Sequence, residues 1–263
     1  MIDPRREAVI ERINRIPHVI PVLSSKGGVG KSLTSTGIAV LLSQMGRKVG
    51  LLDLDFWGAS DHIILGVSVD EFPEEDRGIL PVPKCGLKFM SVAFYTRNQP
   101  LPMRGSEYTD ALLELMAVTR WDDVEYLVID MPPGLGDPFL NLISFFRKGH
   151  YVVVTTPSPL SVMALKNTIH MLKEQKIDIV GVVENMSSQE SLKEFLDEQG
   201  IRHLGNIPMI NDIDAHMGDC EKFASSEFIK HLRRPVERIA ELIGCISTLT
   251  RLSAFRRLSQ LQG

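Results

Sequence analysis

Seven residues, Lys26-Gly-Gly-Val-Gly-Lys-Ser32, restrict what this chain can fold into more than any other stretch. They follow the apolar run Val19-Ile20-Pro21-Val22-Leu23-Ser24 and open a segment with helical apolar spacing. That is the order of strand, glycine-rich loop and helix that a phosphate-binding loop requires. Gly27, Gly28 and Gly30 let the backbone curl so that successive N–H groups, Val29 among them, point at phosphate oxygens. The helix N-terminus adds its partial positive charge through Lys31, Ser32 and Leu33. Lys31 is expected to reach the β- and γ-phosphates, and the Ser32 hydroxyl to bind Mg²⁺.

The rest of the chain supports an α/β fold with a mostly parallel, doubly wound sheet flanked by helices. Strand-like and helix-like patterns alternate nearly throughout, without repeats or low-complexity linkers. A helix is expected over 3–16, with Val9, Ile10, Ile13 and Ile16 on one side, then strands at 19–24 and 48–55 around a helix from 31 to 45. Residues 66–86 read as a surface excursion, followed by a strand at 87–93 and a helix at 106–118. Strands at 126–130, 151–156, 177–184 and 203–207 follow, with helices at 160–175, 189–199 and 226–243. Alternation of this kind implies right-handed crossovers, with ligands beyond the strands' C-terminal ends.

With 263 residues, 44% of them hydrophobic, one domain over residues 1–245 is expected, including an N-terminal helix over 1–17 and a tail at 246–263. A net charge of −4 leaves no footprint for nucleic acid. There is no 18-residue apolar run and no apolar signal core at the N-terminus, so a cytoplasmic location is expected. The cysteines, Cys85, Cys220 and Cys245, are far apart and odd in number, so no disulfide framework is expected.

Acids stand where the chemistry needs them. Asp53 and Asp55 end the second strand, where one is expected to face the nucleotide and the other to pack or cap. Asp130 follows three apolar residues and would hold Mg²⁺ with Ser32. Pro132-Pro133-Gly134 forms a stiff turn whose Gly134 N–H is expected to sense the γ-phosphate, making a candidate switch. Asn185 ends a strand, and its amide can both donate to and accept from an adenine edge, although asparagine is also a common turn former.

Together these residues resemble the Mrp/ApbC-type ATPases, a branch of the MinD, ParA and nitrogenase-iron-protein superfamily. The similarity spans roughly residues 18–218 and includes Lys26–Ser32 and Asp53-Leu-Asp-Phe-Trp-Gly-Ala-Ser60. It continues through Arg104-Gly105, Asp130-Met-Pro-Pro-Gly-Leu-Gly-Asp137 and Thr155-Thr156-Pro157 to Glu184-Asn-Met-Ser187 and Gly205-Asn-Ile-Pro208. Ser25 stands where the usual phosphate loop has its first glycine, and Lys26 follows it. The resemblance implies a "deviant" loop in which Lys26 reaches across a homodimer to the partner's nucleotide. Asp55, 24 positions after Lys31, would orient or deprotonate the attacking water, and it would stand with Asp53 among the residues around the Mg²⁺. Asn185, Pro208 and Met209 would hold the adenine of ATP.

The resemblance also implies slow ATP hydrolysis coupled to carrying an iron–sulfur cluster to a metal-centre apoprotein client. The chain departs from its relatives at one point: residues 186–219 contain no cysteine, so the usual Cys-x-x-Cys pair is missing. Cys220 is the remaining candidate cluster ligand. The tail, with Leu249, Leu252, Phe255, Leu258 and Leu261 beside Arg251, Arg256 and Arg257, suggests a basic amphipathic helix. Such a helix would dock on the protein itself or touch a membrane. The alternative to a cluster carrier is a MinD-like nucleotide switch that recruits a protein partner or a membrane.

Overall fold

Eight strands form one sheet in the order β3-β4-β2-β5-β1-β6-β7-β8. The computed structural model describes residues 4–97, 105–134 and 136–260, with side chains described as far as Cys245 except those of 4, 105, 106, 137 and 138. Arg104 and Leu261 lie outside the described residues. The strands are β1 (His18–Leu23), β2 (Val49–Asp53), β3 (Val82–Lys84), β4 (Leu87–Ser91), β5 (Tyr126–Asp130), β6 (Tyr151–Thr155), β7 (Ile179–Asn185) and β8 (His203–Ile207). Every pairing is parallel except the β3–β4 hairpin. β2, β5, β6 and β7 are buried along their whole length, as strands covered by helices on both faces must be.

The helices are α1 (Pro4–Arg15), α2 (Lys31–Gln44), α3 (Asp61–Leu65), α4 (Ala93–Thr96), α5 (Gly105–Val118), α6 (Asp137–Ile143), α7 (Pro159–Glu174), α8 (Lys193–Glu198), α9 (Cys220–Ser225) and α10 (Glu227–Gln260). A 3₁₀ turn covers Ile213–His216. α2 stops where expected: Gly46 takes a left-handed φ of 77° and its N–H bonds the Ser43 carbonyl. α1 buries Val9 and Ile13 against the core, with Ile16 just past its end, whereas Ile10 is exposed because it lies about 100° around the helix from Val9.

Two expectations need correction. Residues 66–86 are not all excursion, since Val82–Lys84 pairs antiparallel with β4. The final helix does not stop near 243 but runs unbroken to Gln260, past the boundary drawn between domain and tail. Its packed half buries Leu232, Val236, Ile239 and Ile243. β1 is central although it contains Pro21, which lacks a ladder donor. The missing N–H faces β6, whose pairing with β1 begins only at Val22, so no bond is lost in the β5 ladder.

Candidate functional site

The sheet places the motif residues along one edge. Asp53 and Asp130 are register partners on β2 and β5, and Val22 of β1 pairs with Asp130, so both acids end beside the loop that leaves β1. β1 is also where the connections diverge toward opposite ends of the sheet, the place where open α/β sheets bind ligands.

The loop itself has the conformation that its glycines suggested. Gly28 and Gly30 take left-handed φ values of 77° and 82°, and Gly30 caps α2. Asn185 braces the loop from β7: its Nδ2 donates to the Val29 carbonyl at 2.8 Å. A Cβ on Gly30 would stand 2.2 Å from that same nitrogen, so glycine is required there on two counts. Asn185, expected at the adenine, here holds the phosphate loop through its buried amide nitrogen. β7 is anchored in turn by Glu184, whose carboxylate accepts from the Ser191 and Leu192 N–H groups, each at 3.2 Å, and contacts His203 Nε2 at 3.0 Å.

Beneath the loop lies a dense polar cluster. Lys31 Nζ and Ser32 Oγ both donate to Asp130 Oδ2 at 2.7 Å, while Ser35 Oγ donates to Oδ1, also at 2.7 Å. Lys31 Nζ stands 3.8 Å from Asp55 Oδ2. Asp53 lies entirely inside and accepts from the Asp55 N–H and from Ser91 Oγ. Asp55, just past the strand, accepts from the N–H groups of Trp57 and Gly58. Asp53 is therefore the packed acid, and Asp55 is the one that borders the cavity. Asp61, not singled out in the sequence, joins them from α3: it is fully buried, its Oδ1 accepts from Thr36 Oγ1 at 3.0 Å, and its Oδ2 has no partner.

Burial and mutual repulsion raise these carboxyls. Asp53 is pushed up to about 7, first by desolvation and then by Asp130. Asp61 is pushed well above the usual carboxylate range by the same two causes and by Asp53. Asp55 is raised mainly by burial, although Lys31 opposes this. For Lys31 burial works against the charge, yet Asp130 and Asp55 outweigh it and its pKa rises. Carboxylate oxygens of Asp53, Asp61 and Asp130 lie within 4.8 Å of one another, and the unpartnered Asp61 Oδ2 is the kind of acceptor a hard divalent cation takes. The donor set thus fits Mg²⁺, with Ser32 and Asp130 nearest the loop.

A cavity of ≈ 560 Å³ opens over the cluster. Gly27, Gly28, Gly30, Lys31, Ser32 and Leu33 form its floor, while Asp55, Trp57, Ile63, Ile64 and Met217 are among the residues of its wall. Trp57 stacks on Tyr108 with ring centres 4.8 Å apart. Several expected residues lie elsewhere. Pro208 and Met209 do not line this cavity, and Val29, whose carbonyl is held by Asn185, faces a neighbouring hollow with Lys26 and Met186. Lys26 is exposed at the rim and forms no ion pair with a described residue. Gly134 N–H donates to the Ser24 carbonyl at 3.2 Å, which ties the Pro-Pro-Gly turn to the base of the phosphate loop. Cys220 is bonded to Cys85, so its sulfur is not a free thiolate, and the expectation of three unpaired cysteines fails. Sequence spacing gave no hint of that pair, because a separation of 135 positions says nothing of which loops meet.

Residues 15–243 match the family described as the ParA group's NUBPL iron-transfer P-loop NTPases. An iron–sulfur cluster carrier protein of Methanocaldococcus jannaschii is 34% identical over 257 residues, covering 87% of each chain. One from Aquifex aeolicus is 36% identical over 220 residues, 76% of this chain, which spans only 59% of that relative's length. Among solved structures, a nucleotide-binding protein from Archaeoglobus fulgidus in complex with ADP superposes with a TM-score of 0.71. It is 28% identical and covered over 93% of its length, against 84% of this chain. The cell-division ATPase MinD of Pyrococcus furiosus, at 19% identity and a TM-score of 0.64, shares the fold, with 86% of this chain and 100% of that one covered. The family match over most of the chain, with a relative 34% identical over 87% of each chain, shows that the chain belongs to the NUBPL-type iron-transfer family of P-loop NTPases, in the ParA group.

Proposed function

We propose that the protein binds and slowly hydrolyses Mg²⁺–ATP as a homodimer, and that this cycle serves the carriage or assembly of an iron–sulfur cluster. The convergence of Lys31, Ser32 and Asp130 under a glycine loop carries the nucleotide half of this reading. Backbone N–H groups and Lys31 would hold the phosphates, while Ser32 and Asp130, with Asp53 behind them, would hold the cation. Mg²⁺ would supply charge neutralisation on the β- and γ-oxygens. Asp55, beside Lys31 at the cavity wall, would orient the attacking water. The adenine would lie toward Pro208 and Met209, beyond β8.

Homodimerisation is supported by what the sheet's C-terminal edge exposes. Trp57, Leu160, Met163, Met186 and Met209 are all large, apolar and exposed, and each follows the end of a strand or opens the helix after one. Lys26 stands among them. Apolar side chains clustered around a charged cavity make a surface suited to a second copy. The cluster half rests on what the relatives' names say of them. A Cys-x-x-Cys pair is absent from the chain, and Cys85 and Cys220 are bonded to each other, which leaves the exposed Cys245 as the free thiol. That observation favours a second reading, a MinD-like switch without metal cargo that recruits a partner, or a membrane through residues 246–263. No helix among the described residues is long and apolar enough to cross a membrane.

ATP turnover by wild type and Lys31→Ala tests the nucleotide half. A loss on the order of a hundredfold or more is expected, since the phosphates lose their main charged partner, and unchanged turnover would sink the assignment. Iron and acid-labile sulfide per subunit, measured after anaerobic reconstitution under reductant, separate the two readings. A stoichiometric cluster supports the carrier, and none leaves the switch.

A further inference from the structure

The disulfide between Cys85 and Cys220 ties together two pieces of chain that the fold would otherwise leave independent. Cys85 and Gly86 are the two central residues of the β3–β4 turn, with φ values of 52° and 75°. Both are left-handed, the pattern of a type I′ hairpin, in which asparagine, aspartate or glycine is the usual first residue. A cysteine sits there against its backbone preference, and the side chain it presents is the one that reaches Cys220. Cys220 opens α9, and the two Cα atoms are 5.4 Å apart. Both residues are half-buried at the surface, with exposed Gly86 beside Cys85, so a small molecule can approach.

Cys220 also ends the segment that leaves β8. Three residues earlier, Met217 lines the phosphate cavity with Ile63 and Ile64. Between them, Gly218 N–H bonds the Ile64 carbonyl at 3.0 Å, and the Gly218 backbone lies so close to Gly66 that a Cβ there would stand 2.1 Å from its carbonyl oxygen. The wall of the cavity is therefore pinned on one side by backbone contact with α3 and on the other by a covalent bond to the hairpin.

We propose that Cys85–Cys220 is a reversible thiol–disulfide exchange site for small thiols, and that its redox state sets how firmly the Met217 wall is held and hence how tightly the cavity binds nucleotide. The second half rests on the nucleotide reading given above. In the exchange, a thiolate of the reductant attacks one of the two sulfurs and forms a mixed disulfide. The Cys85–Cys220 bond breaks, and the other sulfur leaves as thiolate and takes up a proton. A second thiol of the reductant then displaces the first cysteine, giving a protein dithiol and an oxidised reductant, two electrons transferred in all. In a thiol-reducing compartment such bonds are made and broken rather than kept, which suits a sensor more than a permanent staple. Reduction leaves the Gly218–Ile64 bond and the buried Phe223 of α9 in place, so the fold persists while the wall loosens.

Two measurements on the full chain test this. Thiols are counted by alkylation and mass spectrometry of air-purified protein, before and after reduction. One reactive thiol, Cys245, is expected before, and all three of the chain's cysteines after. ADP–Mg²⁺ affinity is then titrated on oxidised, reduced and reoxidised protein. A weakening of about fivefold or more on reduction, recovered on reoxidation, is expected. Cys85→Ser and Cys220→Ser should each show the weaker affinity and ignore reductant, while Cys245→Ser should respond as wild type. Three free thiols before reduction, persisting after a mild thiol oxidant, would overturn the exchange site. Equal affinity in two states whose thiol counts differ as expected would overturn the coupling to the cavity. No ADP binding in either state, with the thiol counts as expected, would remove the nucleotide reading and the coupling with it, and the exchange site would stand alone.

Discussion

Asn185 shows what a single residue's chemistry does and does not reveal. An amide at the end of β7 pointed equally to an adenine edge or a turn, and the structure adds a contact that neither reading contained: it clamps the Val29 carbonyl across the base of the phosphate loop. Nothing in the spacing between positions 29 and 185 could have announced that contact, because it depends on β1 and β7 lying two strands apart in the same sheet. Asn185→Ala leaves a buried carbonyl unsatisfied, a cost of about 1–3 kcal/mol. A lower denaturation midpoint and weaker ADP binding are expected together, and a drop in stability alone would confine Asn185 to a structural role. Asp61 was missed for a related reason, since one acid beyond the Gly-Ala-Ser run reads as a helix cap until Asp53 and Asp130 appear beside it. The acids also make stability depend on pH. Asp53 rises from 3.8 to about 7 on folding, so the unfolded chain holds fewer protons at that position between those values. Its contribution is full below the lower value and is lost as pH rises through the upper one, at about 1.4 kcal/mol per unit at most. Urea midpoints for the protein without Mg²⁺ should fall from about pH 5 to about pH 8, and Asp53→Asn should flatten that slope. A midpoint indifferent to pH would contradict the placement of Asp53 among buried acids.

At the level of elements, the long ones were legible because their apolar periods were strong and their ends were marked. α2 runs from the loop lysine to Gln44 and is stopped at Gly46, and β5 and β8 fall where their apolar runs put them. Short elements were not: α3, α6 and α9, each of seven residues or fewer, form because their neighbours hold them, and a turn or two of helix has no period to read. The packing of α3 gives a clean test. Gly66 ends it with a left-handed φ of 67° against the Gly218 carbonyl, whereas Gly46 ends α2 with φ 77° and open space around it. Gly46→Ala should cost only the left-handed backbone, about 1–2 kcal/mol. Gly66→Ala adds a backbone clash, so its loss should exceed that of Gly46→Ala and lower Tm by at least roughly 2–4 °C. Equal losses in calorimetry would mean that α3 and the 217–220 segment are not packed as described.

For the whole molecule, the expected sheet and its ligand edge agree with the structure, since alternating strands and helices leave few topologies open. The disulfide could not be foreseen, because it joins a hairpin turn and a helix start that meet only in the finished fold. The exposed apolar edge around Lys26 makes assembly the property to measure. Asp55→Asn with Mg²⁺–ATP should accumulate dimer mass in light scattering, because hydrolysis stalls with both nucleotides in place. Lys26→Ala should bind ADP normally and remain monomeric under the same conditions. A dimer in that variant would remove Lys26 from the interface.

One oxygen of Asp130 receives both Lys31 and Ser32. A phosphate that draws Lys31 toward itself uncovers negative charge beneath it, and a divalent cation is the natural replacement. Nucleotide and metal would then each create the other's site, so that neither alone is held well and the pair arrives together. By reciprocity the coupling runs equally in both directions, and phosphate loss after hydrolysis would release the cation in the same event that returns the lysine to the carboxylate.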